Sequence, residues 1–423
     1  MYHKTTLPNG LRVISHNIKE RDSVALGIWI GVGGRYENDR VKGAAHFLEH
    51  MLFKGSKKYG CAEIKKNVEG VGGTLNAFTS EEQTCYYAKI PAQHFAKTFD
   101  TLGDMVSSPL LKEQDLEKER TVILEEIKMY HDIPQYFVME VLDTLIWPNH
   151  PLGKSLAGTP ESVGKISQDD LRRFHSNNYS PGNIVVASCG RLNHNELVDL
   201  VKKKMAKKDS SPQPSFIPSD NSQNKPRAHL FKKEVEQMHV ALGMQGLKED
   251  HPDRFALGLL NVIMGANMSS RLFDEVREKR GLAYSISSGA KSMHDTGMFV
   301  VKAGVDNHKL VEAVKVILKE LEKIKHNGAQ KDEFTRAKDY YLGQVLLGLE
   351  DTLDHMLWIG ESLISLGKTR NLHDVVREVK KVKLSDIARV ARDIFRPERY
   401  NLAVVGPITG PQEKELHKLL GIA

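Results

Sequence analysis

Cysteine is scarce in this chain of 423 residues: there are three, Cys61, Cys85 and Cys189, widely spaced and odd in number. That excludes a disulfide framework and offers no Cys-x-x-Cys metal pair, so the thiols read as reduced side chains. No apolar run approaches the roughly 18 residues that a membrane span needs, and the opening Met1-Tyr2-His3-Lys4 has no apolar signal core. No block of Lys and Arg is long enough to act as a nucleic-acid arm, and 54 acidic residues nearly balance 60 basic ones. These absences point to a reducing compartment, the cytoplasm or an organelle matrix, with no membrane span and no nucleic-acid partner. What remains is ordinary globular material, 40% hydrophobic and 27% charged, ample for sizeable cores. At about 100–200 residues per domain, two or more domains are expected.

The chain is written twice. Val24-Ala25-Leu26-Gly27 recurs as Val240-Ala241-Leu242-Gly243 in the second half. Asn183-Ile184-Val185-Val186, leading to Gly190, matches Asn401-Leu402-Ala403-Val404, leading to Gly406. The helix starts before those strands, Ser167 and Ser385, are separated by the same interval as Asn183 and Asn401. Three recurrences at nearly one spacing mean two copies of one domain. Between them, Lys208–Arg227 is rich in Pro, Ser and Asn and buries too little apolar surface to form an element. The expected division is therefore 1–207, a linker at 208–227, and 228–423. Val24–Val32 and Thr84–Ile90 read as strands, and Leu310, Val314, Ile317, Leu318 and Leu321 share one helical face. Strands mixed with long helices, without strict alternation, predict an α+β class: two homologous domains, each a largely antiparallel sheet backed by helices.

The chemistry concentrates in Ala44-Ala45-His46-Phe47-Leu48-Glu49-His50-Met51-Leu52. On a helix, His46 and His50 are one turn apart and project from one face, so two imidazoles converge on one cation. Glu49 lies beside that axis, where a carboxylate could hold a water and take its proton. The order His-x-x-Glu-His is the inverzincin arrangement, the reverse of His-Glu-x-x-His. Two imidazoles do not complete a catalytic site, which usually takes three protein ligands, so a third belongs on another element. Asp115–His131 reads as a helix with Glu119 and Glu126 two turns apart on one face. One could bind metal while the other orients a ligating histidine. Charge alone does not choose among Glu117, Glu119, Glu125 and Glu126.

These residues resemble the pitrilysin/insulysin metallopeptidases, and within them the short members akin to the catalytic subunit of mitochondrial processing peptidase and its bacterial relatives. That family carries His-x-x-Glu-His followed, much further along the chain, by a glutamate ligand. The family's interval from the second histidine lands on Glu126 when counted from His50. The likeness extends to Leu7-Pro8-Asn9-Gly10-Leu11, to Gly73-Thr74-Leu75-Asn76-Ala77-Phe78-Thr79 and to His150-Pro151-Leu152-Gly153. It implies a zinc endopeptidase with His46, His50 and Glu126 as ligands, Glu49 as catalytic base and Glu119 as a second essential, non-ligating glutamate. It also implies that Asn76, Ala77, Phe78 and Thr79 form an edge strand that pairs with an extended peptide substrate. Read from periodicity alone, the same stretch is an ordinary hairpin inside a sheet.

The second copy has Phe255–Gly265 where the first has its metal helix, and that stretch contains neither histidine nor acid. The segment Ser270–Tyr284 resembles the family's second-half segment, whose Arg/Tyr pair, seven apart, matches Arg277 and Tyr284. By that resemblance the pair binds a substrate carbonyl and stabilises its developing oxyanion. The long glycine-rich loop of the family's non-catalytic subunit is missing: only Gly265-Ala266-Asn267-Met268-Ser269 stands there. The family implies a homodimer closing around a chamber, or a heterodimer with an inactive paralogue. Three alternatives stand beside the peptidase: a structural or assembly subunit, a subunit inactive without its partner, and a metal-dependent hydrolase of something other than peptides.

Overall fold

The computed structural model of the chain describes residues 1–205 and 214–422. The chain forms two compact units, one built from Met1–Ile127, Ser155–Ile217 and Leu346–Arg370, the other from Lys128–Lys154, Pro218–Val345 and Asn371–Ala423. Each contains one sheet backed by helices.

The first sheet uses β1 (Tyr2–Thr6), β2 (Arg12–Asn17), β3 (Ser23–Ile30), β4 (Thr74–Thr79), β5 (Thr84–Pro91) and β6 (Ile184–Gly190), in the order β1-β2-β6-β3-β5-β4. Only β2 and β6 run parallel; the other neighbours are antiparallel. The second sheet uses β7 (Arg227–Lys232), β8 (Met238–Gln245), β9 (Ala283–Ser292), β10 (Gly297–Val305) and β11 (Asn401–Gly406), in the order β7-β11-β8-β10-β9. Here β7 and β11 run parallel and the rest antiparallel, so the two copies share one topology and the first adds β1 at its edge.

The run Ser-Val-Ala-Leu-Gly-Ile-Trp-Ile of β3 is apolar and buried after its first residue because both faces of its sheet are covered. Val24, Leu26, Ile28 and Ile30 face a core filled by the Ala44–Leu52, Phe95–Ser107 and Glu113–Asp132 helices. Ala25 and Trp29 point the other way, with Ile14, Val185 and Ala187, onto Met356, Ile359 and Leu363 of the Thr352–Leu366 helix. In the second unit, Ala241, Val300, Ala403 and Val405 meet Val138, Leu142 and Ile146 of the Pro134–Ile146 helix.

Each copy therefore lends one helix to the sheet of the other. The units differ from a simple division at the linker by this exchange, for a physical reason. Periodicity shows that a helix has an apolar face and is silent on which sheet covers that face. The exchange also explains the repeated Val-Ala-Leu-Gly. A Cβ on Gly27 would stand 2.5 Å from Met356 Sδ, and one on Gly243 would stand 2.8 Å from Leu142 Cδ2. Of the expected linker, the part before residue 214 lies outside the described residues, and 214–226 carries no helix or strand before β7 begins at Arg227.

Candidate metal centre

The Ala44–Leu52 helix starts at Gly43, whose φ of +96° is left-handed and whose Cα lies against the chain at Ala157; a Cβ there would sit 2.6 Å from the Ala157 carbonyl oxygen. Its first turn is held by Glu37, whose carboxylate accepts from the amides of Gly43 at 3.0 Å and Ala45 at 2.6 Å. Negative charge belongs at a helix N-terminus, where backbone N–H groups have no intrahelical partner. Burial pushes the Glu37 carboxyl above its usual range, opposed by the Lys42 ammonium 3.2 Å away and by the two amides. Phe47, Leu48, Met51 and Leu52 are fully buried, which turns His46, Glu49 and His50 to the half-buried side.

The Glu113–Asp132 helix supplies the facing acids. Glu117 pairs with Arg120, whereas Glu119 and Glu126 face the histidines. Glu126 Oε2 lies 3.6 Å from His46 Nε2 and 3.5 Å from His50 Nε2. One donor atom from each of the three lies within 4.8 Å of the others. Those spacings are too long for good hydrogen bonds, which run to about 3.2 Å. They suit a coordination tetrahedron: bonds of about 2.0–2.2 Å place neighbouring ligand atoms roughly 3.3–3.6 Å apart. Two imidazole nitrogens and one carboxylate oxygen form a zinc-type donor set, and the residues present fit that ion.

The surroundings complete the arrangement. Glu119 is buried; its Oε2 lies 3.2 Å from His50 Nδ1 and its Oε1 lies 2.6 Å from Lys54 Nζ. A proton on His50 Nδ1 donated to Glu119 leaves Nε2 as the lone-pair atom turned to Glu126. Burial, and then the neighbouring His50, push His46 down to about 4, so it is neutral near pH 7, as a ligand must be. Thr79, the last residue of β4, donates its hydroxyl to Glu49 Oε2 at 2.5 Å. Burial pushes Glu49 above the usual carboxylate range, and the Thr79 bond pulls against that.

β4 lies at the edge of its sheet among the described residues and pairs only with β5, Asn76 opposite Tyr87 and Phe78 opposite Cys85. Asn76, Ala77, Phe78 and Thr79 thus belong to a strand with an open side, unlike a hairpin strand enclosed within the sheet. Arg277 and Tyr284 belong to the second unit. Arg277 sits in a π-helical turn, Phe273–Glu278, with its guanidinium carbon 4.8 Å from the Phe273 ring centre and 5.6 Å from that of Tyr284. Tyr284, near the start of β9, is 75% exposed. The Arg254–Met264 helix, counterpart of the metal helix, is buried almost all round and offers no ligand.

Lys54, Glu37 and the Thr79–Glu49 bond went unnoticed in the sequence. Lys54 lies four residues past His50, a helical spacing that could have marked it; Glu37 sits in a loop and carries no periodic signal.

The fold and site define a duplicated α+β chain in which the first copy's Ala44–Leu52 helix carries the His46, Glu49 and His50 cluster and its counterpart in the second copy, Arg254–Met264, carries neither histidine nor acid. It belongs to the insulinase family, peptidase family M16. The family description "Insulinase (Peptidase family M16)" matches residues 12–160, and "Peptidase M16 inactive domain" matches residues 165–341. An uncharacterized zinc protease of Streptomyces coelicolor is 38% identical over 98% of this chain and 91% of its own. One from Bacillus subtilis is 36% identical over 96% of this chain and 98% of its own. The crystal structure of a protease from Helicobacter pylori superposes with a TM-score of 0.90 at 27% identity, covering 96% of this chain and 99% of that one. No helix among the described residues is long and apolar enough to cross a membrane.

Proposed function

We propose that this chain is a zinc-dependent endopeptidase acting on peptides or on extended, unfolded polypeptide segments. The observation that carries this is the convergence of His46, His50 and Glu126, at ligand spacing, beside a half-buried Glu49 that an edge strand holds through Thr79. Names of relatives support it, since those above are called zinc proteases. Zinc, when bound, supplies Lewis-acid polarisation of the scissile carbonyl and lowers the pKa of a water toward roughly 7.

The chain's own residues do the rest. Glu49 takes a proton from the attacking water and passes it to the leaving amine nitrogen. Glu119 is a positioning residue: it fixes the His50 ring and its protonated nitrogen. β4 offers unpaired backbone groups to an extended peptide, which gives affinity with little sequence preference. Arg277 and Tyr284 are assigned to the substrate carbonyl and its developing charge, supported by their adjacency and by the exposure of Tyr284. A homodimer closing around a chamber is the assembly proposed, with a heterodimer containing an inactive paralogue as the alternative. The cytoplasm is the compartment proposed.

The test pairs metal analysis with cleavage of a quenched peptide library by wild type, Glu49→Gln and His46→Ala. The expected result is that Glu49→Gln keeps its zinc and loses cleavage, while His46→Ala loses both. Retained turnover in Glu49→Gln removes that residue from the mechanism. A folded wild type with no zinc at this centre refutes the metallopeptidase and restores the structural-subunit alternative. Zinc without cleavage means that a partner chain is missing.

A further inference from the structure

A second cluster of metal-binding side chains lies on the opposite face of the first sheet, under the borrowed helix. Strand register places it. In β1, β2 and β6, Tyr2 is opposite His16 and His16 is opposite Cys189, so three side chains stand in one row across neighbouring strands. Ile14 and Ala187, two residues back on their strands, face the Thr352–Leu366 helix, and period-2 alternation puts His16 and Cys189 on the same side. His355, in the first turn of that helix, is brought over the row. Its Nε2 lies 2.9 Å from the Tyr2 hydroxyl and 3.2 Å from His16 Nδ1. One donor atom from each of His16, Cys189 and His355 lies within 4.8 Å of the others. Cys189 is fully buried and His355 is 5% exposed.

We propose that His16, Cys189 and His355 form a second metal site for a borderline-soft divalent cation of the zinc class, with the Tyr2 phenol beside it. Donor chemistry selects the ion: one sulfur and two imidazoles suit zinc, whereas calcium and magnesium require oxygen. The outer contacts fit too. His355 Nδ1 lies 3.2 Å from the Leu349 carbonyl, which can only accept, so that nitrogen carries the proton and Nε2 presents its lone pair to the cluster. On binding, the Cys189 S–H bond breaks, its proton passes to solvent and a sulfur–metal bond forms; nothing is oxidised or reduced. The ion fastens the Thr352–Leu366 helix to β2 and β6, joining His16, near the start of the chain, to His355, in its last quarter. A clip across so long a stretch constrains the unfolded chain strongly.

The experiment uses the full chain, stripped with chelator and titrated with Co2+ as a spectroscopic probe. The centre formed by His46, His50 and Glu126 contains no sulfur, so thiolate-to-cobalt charge-transfer absorption reports the second site alone. The expected result is two equivalents of Co2+ per chain, with that absorption growing alongside one of them. It disappears, with one equivalent, in Cys189→Ser and in His355→Ala, and survives in His46→Ala and Cys61→Ser. Zn2+ beyond one equivalent raises the Tm of wild type and leaves that of Cys189→Ser unmoved. Where Cys189→Ser does not fold, His16→Ala supplies the same readout from a half-buried position. A folded wild type that binds one equivalent without the absorption overturns the proposal, leaving a Tyr–His–His hydrogen-bond network that packs the helix. Absorption unchanged in His16→Ala and His355→Ala overturns it equally.

Discussion

Thr79 joins the edge strand to the base, and replacing it with valine isolates that link. Valine keeps the branched shape that suits a strand and deletes one donor, the hydroxyl 2.5 Å from Glu49 Oε2. A hydrogen bond to a charged group is worth about 1.5–3 kcal/mol, and each 1.4 kcal/mol is a factor of ten. If the bond is needed to aim Glu49 at the attacking water, kcat for a quenched peptide falls by roughly 10- to 150-fold. KM should hold, because the backbone of β4 is unchanged by the substitution. Zinc content should hold as well, since His46, His50 and Glu126 are all retained. Thr79→Ser restores the donor and should recover most of the rate. Thr79→Val within twofold of wild type, or Thr79→Ser as slow as Thr79→Val, would refute a positioning role for Thr79. Loss of zinc in Thr79→Val would mean that the strand supports the metal helix and does not act through Glu49.

Glu119→Gln keeps the shape of the side chain but weakens its hold on His50 Nδ1 and Lys54; zinc affinity by competition with a chelator should fall by about 10- to 100-fold, with the fold intact by circular dichroism. The same substitution should act in opposite directions at two helical glycines. Gly360→Ala puts a Cβ 2.1 Å from Trp29 Nε1 and should cost about 1–3 kcal/mol, while Gly343→Ala has nothing within 4 Å and should gain up to about 1 kcal/mol, both read by urea denaturation. For Asp104, burial pushes the carboxyl up, but hydrogen bonds from Lys204, Ser56 and the Lys58 amide more than offset this and hold it below the usual range. A depressed carboxyl contributes stability above its unfolded pKa near 4 and loses it as pH falls through the lower folded value. Asp104→Asn should therefore lower Tm at pH 7, and the gap from wild type should close below about pH 4.

The parts of this structure that were legible in the sequence are those encoded at short range. His46 and His50 are four apart, so any helix through Phe47 and Leu48 brings them together, and the observed Ala44–Leu52 helix does. The Asp115–His131 expectation falls inside the observed Glu113–Asp132, and the helical face formed by Leu310, Val314, Ile317, Leu318 and Leu321 lies inside Leu310–Asn327. The two-copy α+β architecture was legible because repeated strands occupy equivalent places in both sheets, β3 with β8 and β6 with β11. What escaped depends on register and on long-range cover. The row Tyr2–His16–Cys189 exists only once β2 and β6 are paired in parallel at a fixed register, and His355 reaches it only because its helix covers the sheet of the other copy. Nothing in the spacing of residues 16, 189 and 355 carries that information.

The two copies also show how a helix that carries a polar cluster differs from one that is all core. The Arg254–Met264 helix buries Phe255, Ala256, Leu257, Leu259, Leu260, Val262, Ile263 and Met264, so it is free to be apolar nearly all round. Its counterpart, Ala44–Leu52, keeps His46, Glu49 and His50 half-buried, where Thr79 donates to Glu49, Glu119 lies against His50 Nδ1 and Glu126 faces both imidazoles. Half-buried polar groups contribute less to stability than leucine or isoleucine in a well-packed core. The Ala44–Leu52 helix is correspondingly anchored at its start by the buried Glu37–Lys42 pair and by the left-handed Gly43. Arg254–Met264 starts at Asp253 with no side-chain hydrogen bond to its first turn. The Ala44–Leu52 helix is packed as well, with Ala44, Ala45, Phe47, Leu48, Met51 and Leu52 buried, and the Glu37 carboxyl adds a second hold on its first turn. Rigid anchoring of this kind is what holds a ligand set to within the few tenths of an ångström that coordination demands.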